Sequence, residues 1–183
     1  MASVFGHALA ALAAGSTLGK RLRSGKLLAL GALCAILPDA DVLAFRFGIA
    51  YESFWGHRGF THSLLFAGLW GTACALLLFR RGGWKDAAAR ALYLAACTAS
   101  HGLLDAMTSG GKGVAFFSPW DNARYFLPWR PIKVSPIGLR DFLGEWGARV
   151  LASELLWIGL PCLLWMLLLW GWRRGVRHGG AKP

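Results

Sequence analysis

Charge is scarce in this sequence, and negative charge is scarcest. Of 183 residues 16% are charged, nine Asp and Glu against 20 Lys and Arg, while 56% are hydrophobic. A soluble domain of this size coats itself in polar side chains. The shortage therefore argues for an integral membrane protein, read as one domain over residues 1–183. Cysteine clustering is missing too. Cys34, Cys74, Cys97 and Cys162 lie singly in apolar stretches without a CxxC pair. That excludes a disulfide framework or a thiolate zinc site and leaves small core or lipid-facing residues. No basic residue precedes the apolar run at 4–19, the first being Lys20. A secretory signal carries its charge before its apolar stretch, so this segment is expected to stay in the mature protein. No internal repeat is evident.

What is present is apolar length. Five stretches, approximately 4–19, 27–45, 63–79, 87–107 and 150–172, are candidates to cross or enter a bilayer, for which about 20 apolar residues are needed. The first is short and is expected to tilt, insert partly or pack inside the bundle. Residues 108–149 carry Gly110-Gly111, Pro119, Pro128, Pro131 and Pro136 and read as a folded loop. The predicted fold is all-α: an integral membrane bundle of about five membrane-associated helices, with a long outer-face loop at 108–149 and a basic cytoplasmic tail at 173–183.

Lys20, Arg21, Arg23 and Lys26 follow the first stretch; Arg80, Arg81 and Lys85 follow the third; Arg173, Arg174, Arg177 and Lys182 follow the fifth. If the five segments alternate in direction, these clusters share one side. With Arg90 that side holds 12 of the 20 basic residues and only Asp86 among the nine acidic ones. The positive-inside rule makes it cytoplasmic, with the N-terminus outside and the C-terminus inside a plasma or inner membrane. The net charge of +11 is then explained by orientation in the lipid bilayer, and nucleic acid becomes an unfavoured partner. Trp55, Trp120, Trp129 and Trp146 flank the outer side, and Trp84, Trp170 and Trp172 the inner one, as an interfacial belt.

The same topology gathers chemistry on the outer side. His7, Asp39 and Asp41, His57 and His62, His101 and Asp105, and Glu154 all approach that face, whereas His178 sits in the basic tail. Ionisable groups near a bilayer are costly unless paired or functional, and this nitrogen–oxygen mixture suits divalent cations, zinc above all. His101 and Asp105 are four apart and project from one helical face. In an extended segment Asp39 and Asp41 would point the same way. His57 and His62 bracket Gly59, where a turn can aim both rings at one point. Arg58 between them has the forked donors that suit a phosphate. Glu154 has a rival role as a helix cap or as a partner of Arg149 or His7.

His7, Pro38-Asp39-x-Asp41, His57-Arg58-Gly59-x-Thr61-His62-Ser63 and His101-x3-Asp105 resemble, in that order, the membrane-bound metal-dependent hydrolases first described as LexA-regulated inner-membrane proteins. The resemblance runs from His7 to about Pro136, and the HRGxTHS string is its most specific element. That family is distantly similar to zinc-dependent phospholipase C and the S1/P1 nucleases. The resemblance implies phosphoester hydrolysis with one to three divalent ions. The sequence-based expectation is a metal-activated water attacking a lipid or other amphiphilic phosphoester at the outer face. Arg58 would neutralise phosphate charge, and Asp39 or Asp41 would take the proton of the water. The alternative is a non-enzymatic membrane protein with a structural or ion-handling metal site.

Overall fold

The computed structural model describes residues 1–79 and 82–179. Arg80, Arg81 and Lys182 of the expected basic clusters lie outside the described residues, as do the side chains of Arg177 and His178.

Serines set the starts of three helices. Ser3, Ser24 and Ser63 each precede a helix and accept a backbone N–H from its first turn, from Gly6, Leu27 and Phe66 respectively. A side-chain oxygen there satisfies a donor the helix cannot pair internally. The helices are α1 (Val4–Gly15), α2 (Gly25–Ile36), α3 (Leu64–Leu78) and α4 (Trp84–Ala106). Pro38, which has no N–H to donate, stands at the point where α2 tightens into a 3₁₀ segment, Leu37–Phe47, closed by Gly48 at φ 72°. After a long irregular stretch come the one-turn α5 (Leu139–Phe142) and α6 (Glu145–Glu154). A π turn at Leu155–Gly159 joins α6 to α7 (Leu160–Gly179) as one continuous rod. The chain is all-α, as expected. The described residues form two isolated bridges, Thr108 with Ile132 and Val114 with Tyr125.

The expected count of about five membrane-associated helices is not upheld. Among the described residues two helices are long and apolar enough to cross a bilayer, Gly25–Phe47 and Glu145–Val176. The reason lies in length and charge. At 1.5 Å per residue α1, with 12 residues, and α3, with 15, reach about 18 and 22 Å, short of a hydrocarbon core about 30 Å thick. Helix α4 has the length, 23 residues, but carries Lys85, Asp86, Arg90, His101 and Asp105. The alternating five-span argument for sidedness falls with that count, so the sorting of charge rests on the structure itself.

Small residues hold the bundle together. Ala67, Gly71 and Ala75 recur every fourth position on the buried face of α3, the small-xxx-small spacing that lets helix backbones approach. A Cβ on Gly71 would stand 2.3 Å from the backbone nitrogen of Ala95 on α4, so only glycine fits. Around that seam Leu27, Cys34, Ala35, Cys74, Tyr93, Leu94 and Cys97 form the apolar core. All four cysteines are free, three of them buried. Outside the core the surface is oily: Leu77, Leu92, Leu155 and Leu168 are each more than 65% exposed. A soluble protein rarely tolerates so much open hydrocarbon, whereas lipid favours it. The seven belt tryptophans are exposed as well.

The packing places unlike groups at opposite ends. Arg21 pairs with Asp86 at 2.6 Å, Lys26 donates to the Leu78 carbonyl, and Arg173 donates to the Thr17 and Leu18 carbonyls. Lys26 and Arg90 both lie over the Phe79 ring. These bonds tie the C-terminal ends of α1 and α3, the N-terminal ends of α2 and α4, and α7 into a basic end. His101 is 15 residues further along α4 than Asp86, about 22 Å away, at the end that gathers His7, His57 and His62.

Candidate metal centre

Five elements deliver the site. His7 lies in the first turn of α1, Asp39 and Asp41 in the 3₁₀ segment, and His57 and Arg58 in the loop that follows. His62 ends the short 3₁₀ turn Phe60–His62, and His101 with Asp105 comes from the last turns of α4. Every one of them is buried, and His7, Arg58, His101 and Asp105 are wholly inaccessible. Two donor groups emerge, each with ligand atoms lying within 4.8 Å of one another: Asp39, His62, His101 and Asp105, and Asp41, His57 and His62.

The first group is crowded with lone pairs. The Nε2 atoms of His62 and His101 face each other at 3.0 Å. Asp39 Oδ1 lies 3.2 Å from His101 Nε2 and 3.8 Å from His62 Nε2, and Asp105 Oδ2 is 3.8 and 3.9 Å from the same two nitrogens. His7 closes the cluster, its ring stacked on His101 at 3.8 Å and its Nε2 3.5 Å from Asp105 Oδ1. Both ring nitrogens of His7 and both oxygens of Asp39 are buried without a hydrogen bond. Each buried polar atom left so costs about 1–3 kcal/mol. A cation among them would satisfy several at once, and buried charges are otherwise paired or hydrogen-bonded.

The outer bonds of the histidines support the same reading. His101 Nδ1 is 2.7 Å from the carbonyl of Ala35. A carbonyl only accepts, so Nδ1 carries the proton and Nε2 presents a lone pair inward. His57 Nδ1 is 2.6 Å, and His62 Nδ1 3.2 Å, from the two oxygens of Asp41. The same carboxylate accepts from Thr61 Oγ1 at 2.7 Å and from the backbone N–H of Arg58 at 3.1 Å. Metal-bound histidines characteristically donate their other N–H to a carboxylate or carbonyl, which fixes ring and tautomer. Burial and the neighbouring His101 hold the His7 pKa down at about 4. Burial acts the same way on His62, but the nearby carboxylates of Asp39, at 3.8 Å, and Asp41, at 3.2 Å, outweigh it and raise the pKa to about 9.

The glycine of the HRGxTHS string is needed for space. A Cβ on Gly59 would stand 2.3 Å from the Phe54 carbonyl oxygen. Arg58 beside it takes φ 64°, a left-handed conformation that costs a non-glycine residue about 1–3 kcal/mol. The strain turns its side chain inward. Arg58 Nε pairs with Asp105 Oδ2 at 2.9 Å, Nη1 donates to the Gly110 carbonyl and Nη2 to Thr108 Oγ1. Glu154 stands apart from both donor groups: its carboxylate accepts from the backbone N–H and the hydroxyl of Ser3. Thr61, Thr108 and Ser3 have no assigned role in the sequence reading. Thr61 lay in view inside the motif, at one residue from His62; Thr108 and Ser3 carry no local signal.

Residues 108–138 lie over this end as a clasp. Ala115 N–H donates to the Arg58 carbonyl, Leu64 N–H to the Phe116 carbonyl, and Leu127 N–H to the Ala106 carbonyl. Arg124 reaches from the clasp to the carbonyls of His57 and Tyr51 at 2.8 Å each.

An oily all-α bundle with a buried His–Asp cluster defines a membrane-associated protein with a candidate metal centre. The chain belongs to the YdjM inner membrane protein family, whose family model matches residues 1–177. It is 44% identical over 180 residues to Inner membrane protein YbcI of Escherichia coli (strain K12), covering 95% of this chain and 99% of that protein. No solved structure matches.

Proposed function

We propose that this chain is a membrane-bound metal-dependent hydrolase that cleaves a phosphoester of an amphiphilic or lipid substrate. The observation that carries the proposal is the convergence of Asp39, His62, His101 and Asp105, with Asp39 and adjoining His7 left without hydrogen bonds. These residues would hold a divalent cation, zinc being the commonest choice for imidazole and carboxylate. When bound, the ion supplies Lewis-acid activation of water and neutralises phosphate charge. The protein supplies the rest. Asp41 and the Ala35 carbonyl fix the rings, and burial excludes bulk water. Asp39, free of protein donors, accepts a proton from the attacking water. Arg58, bonded to Asp105, acts by holding that carboxylate in place. His57, bonded to Asp41 beside the cluster, offers its second nitrogen to the substrate or to a further ion. The basic end is cytoplasmic by the positive-inside rule, which sets the metal centre at the outer headgroup level. Hydrolysis itself is supported by the motif resemblance and by a donor set larger than the four a closed structural site needs.

Complete burial of His7, His101 and Asp105 favours a second reading, a structural or ion-handling metal site. One experiment separates the two: elemental analysis of the detergent-purified protein, followed by assays on phosphodiesters and phospholipids with and without chelator. Bound metal with chelator-sensitive cleavage supports the hydrolase, and bound metal without cleavage supports the structural site. Absence of metal, or full cleavage by the His57→Ala, His62→Ala double variant, overturns the proposal.

A further inference from the structure

The basic end holds a cavity that the metal chemistry does not use. It encloses about 730 Å³ between the turn after α1 and the last turns of α7. Lys20, Arg23, Arg173 and Arg174 line it, and no acidic residue does. Its far wall is apolar, with Met166, Leu169, Trp170 and Trp172.

Its cations divide into two kinds. Arg173 is committed to the Thr17 and Leu18 carbonyls, which docks α7 against the end of α1. Arg174 stacks over the Trp170 ring at 3.9 Å from its centroid, shaping the wall. Lys20 and Arg23 are exposed, and among the described residues no carboxylate pairs with either. Two unpaired cations above an oily, tryptophan-lined wall call for one anionic group joined to a hydrocarbon chain. The cavity sits where the second spanning helix, Glu145–Val176, reaches its end, and Trp at that depth marks the headgroup boundary. Basic pockets between membrane helices at that level hold anionic headgroups, each Lys or Arg adding to the attraction.

We infer that this cavity is a binding site for an anionic glycerophospholipid. The headgroup phosphate is held by Lys20 and Arg23, and one acyl chain lies along Met166, Leu169 and Trp170. The site is at the opposite end of the bundle from the metal centre, and its occupant is a resident lipid, not a substrate.

The test uses the full chain in a neutral detergent, titrated with phosphatidylglycerol or phosphatidylcholine carrying brominated acyl chains. The readout is the share of tryptophan quenching that disappears in a Trp170→Phe, Trp172→Phe variant. Phosphatidylglycerol is expected to reach half-quenching at roughly tenfold lower concentration than phosphatidylcholine. Lys20→Gln with Arg23→Gln should bring the two curves together and leave metal content unchanged. Inorganic phosphate at matching concentration should displace nothing. Coincident curves on the unmutated chain, which need no variant to fold, overturn the inference. So does an undiminished preference in the double variant, and so does displacement by free phosphate, which would mark a phosphate-ion site.

Discussion

The two ends of this bundle handle charge in opposite ways. At the basic end, cations meet backbone carbonyls, aromatic faces and one carboxylate near the surface, where water shares the load; Arg21 in its pair with Asp86 is 79% exposed. At the site end, donors are driven inside at 0–9% exposure, and several of their polar atoms have no hydrogen-bond partner. A surface pair is worth little to stability, whereas a buried charge must be matched closely. One end therefore carries its charge at the surface, and the other carries it inside, among the donor groups of the candidate metal centre.

Substitutions that exploit this contrast should differ widely in effect. The largest concerns Arg58. Arg58→Met removes the buried partner of Asp105 and the guanidinium bonds to the Gly110 carbonyl and Thr108 hydroxyl. Thermal unfolding in detergent should show a loss of about 3 kcal/mol or more, and an unchanged midpoint would remove Arg58 from the framework of the site. Next is Asp41→Asn, which weakens the bonds aligning His57 and His62 while keeping side-chain volume. Metal affinity, read by competition with a calibrated chelator, should fall roughly 10–100-fold with the fold intact. If affinity instead disappears, Asp41 is a ligand in its own right. Smallest is Arg21→Gln, which breaks the exposed pair with Asp86. It should change stability by less than about 1 kcal/mol, and a larger change would mean that the two ends are less different than their exposure suggests.

The clustering of candidate donors was legible because these residues are chemically conspicuous in an apolar chain. Histidine and aspartate at helix ends stand out against Ala and Leu, and the spacing of His101 and Asp105 already implied a shared face. The spanning pattern was less legible. Hydropathy scores α1, α3 and α4 as membrane stretches, but helix length depends on caps and breaks, and Gly15, Leu78 and the polar residues of α4 end or dilute them. The direction of Arg58 was hidden as well. Nothing in a string of letters distinguishes an arginine aimed outward at a phosphate from one turned inward by a left-handed backbone. That distinction needed Thr108 and Gly110, some 50 residues away.

The clasp over residues 108–138 bears on time as well as on structure. It is bonded to the very loop that presents His57 and Arg58, through the Ala115 backbone N–H and the Arg124 side chain. An ion held beneath it, as proposed, would leave only when those bonds let go. Extraction should then proceed at a rate set by the opening of the clasp and become independent of chelator concentration once chelator is plentiful. Affinity would govern how much metal the protein holds, and this strap would govern for how long.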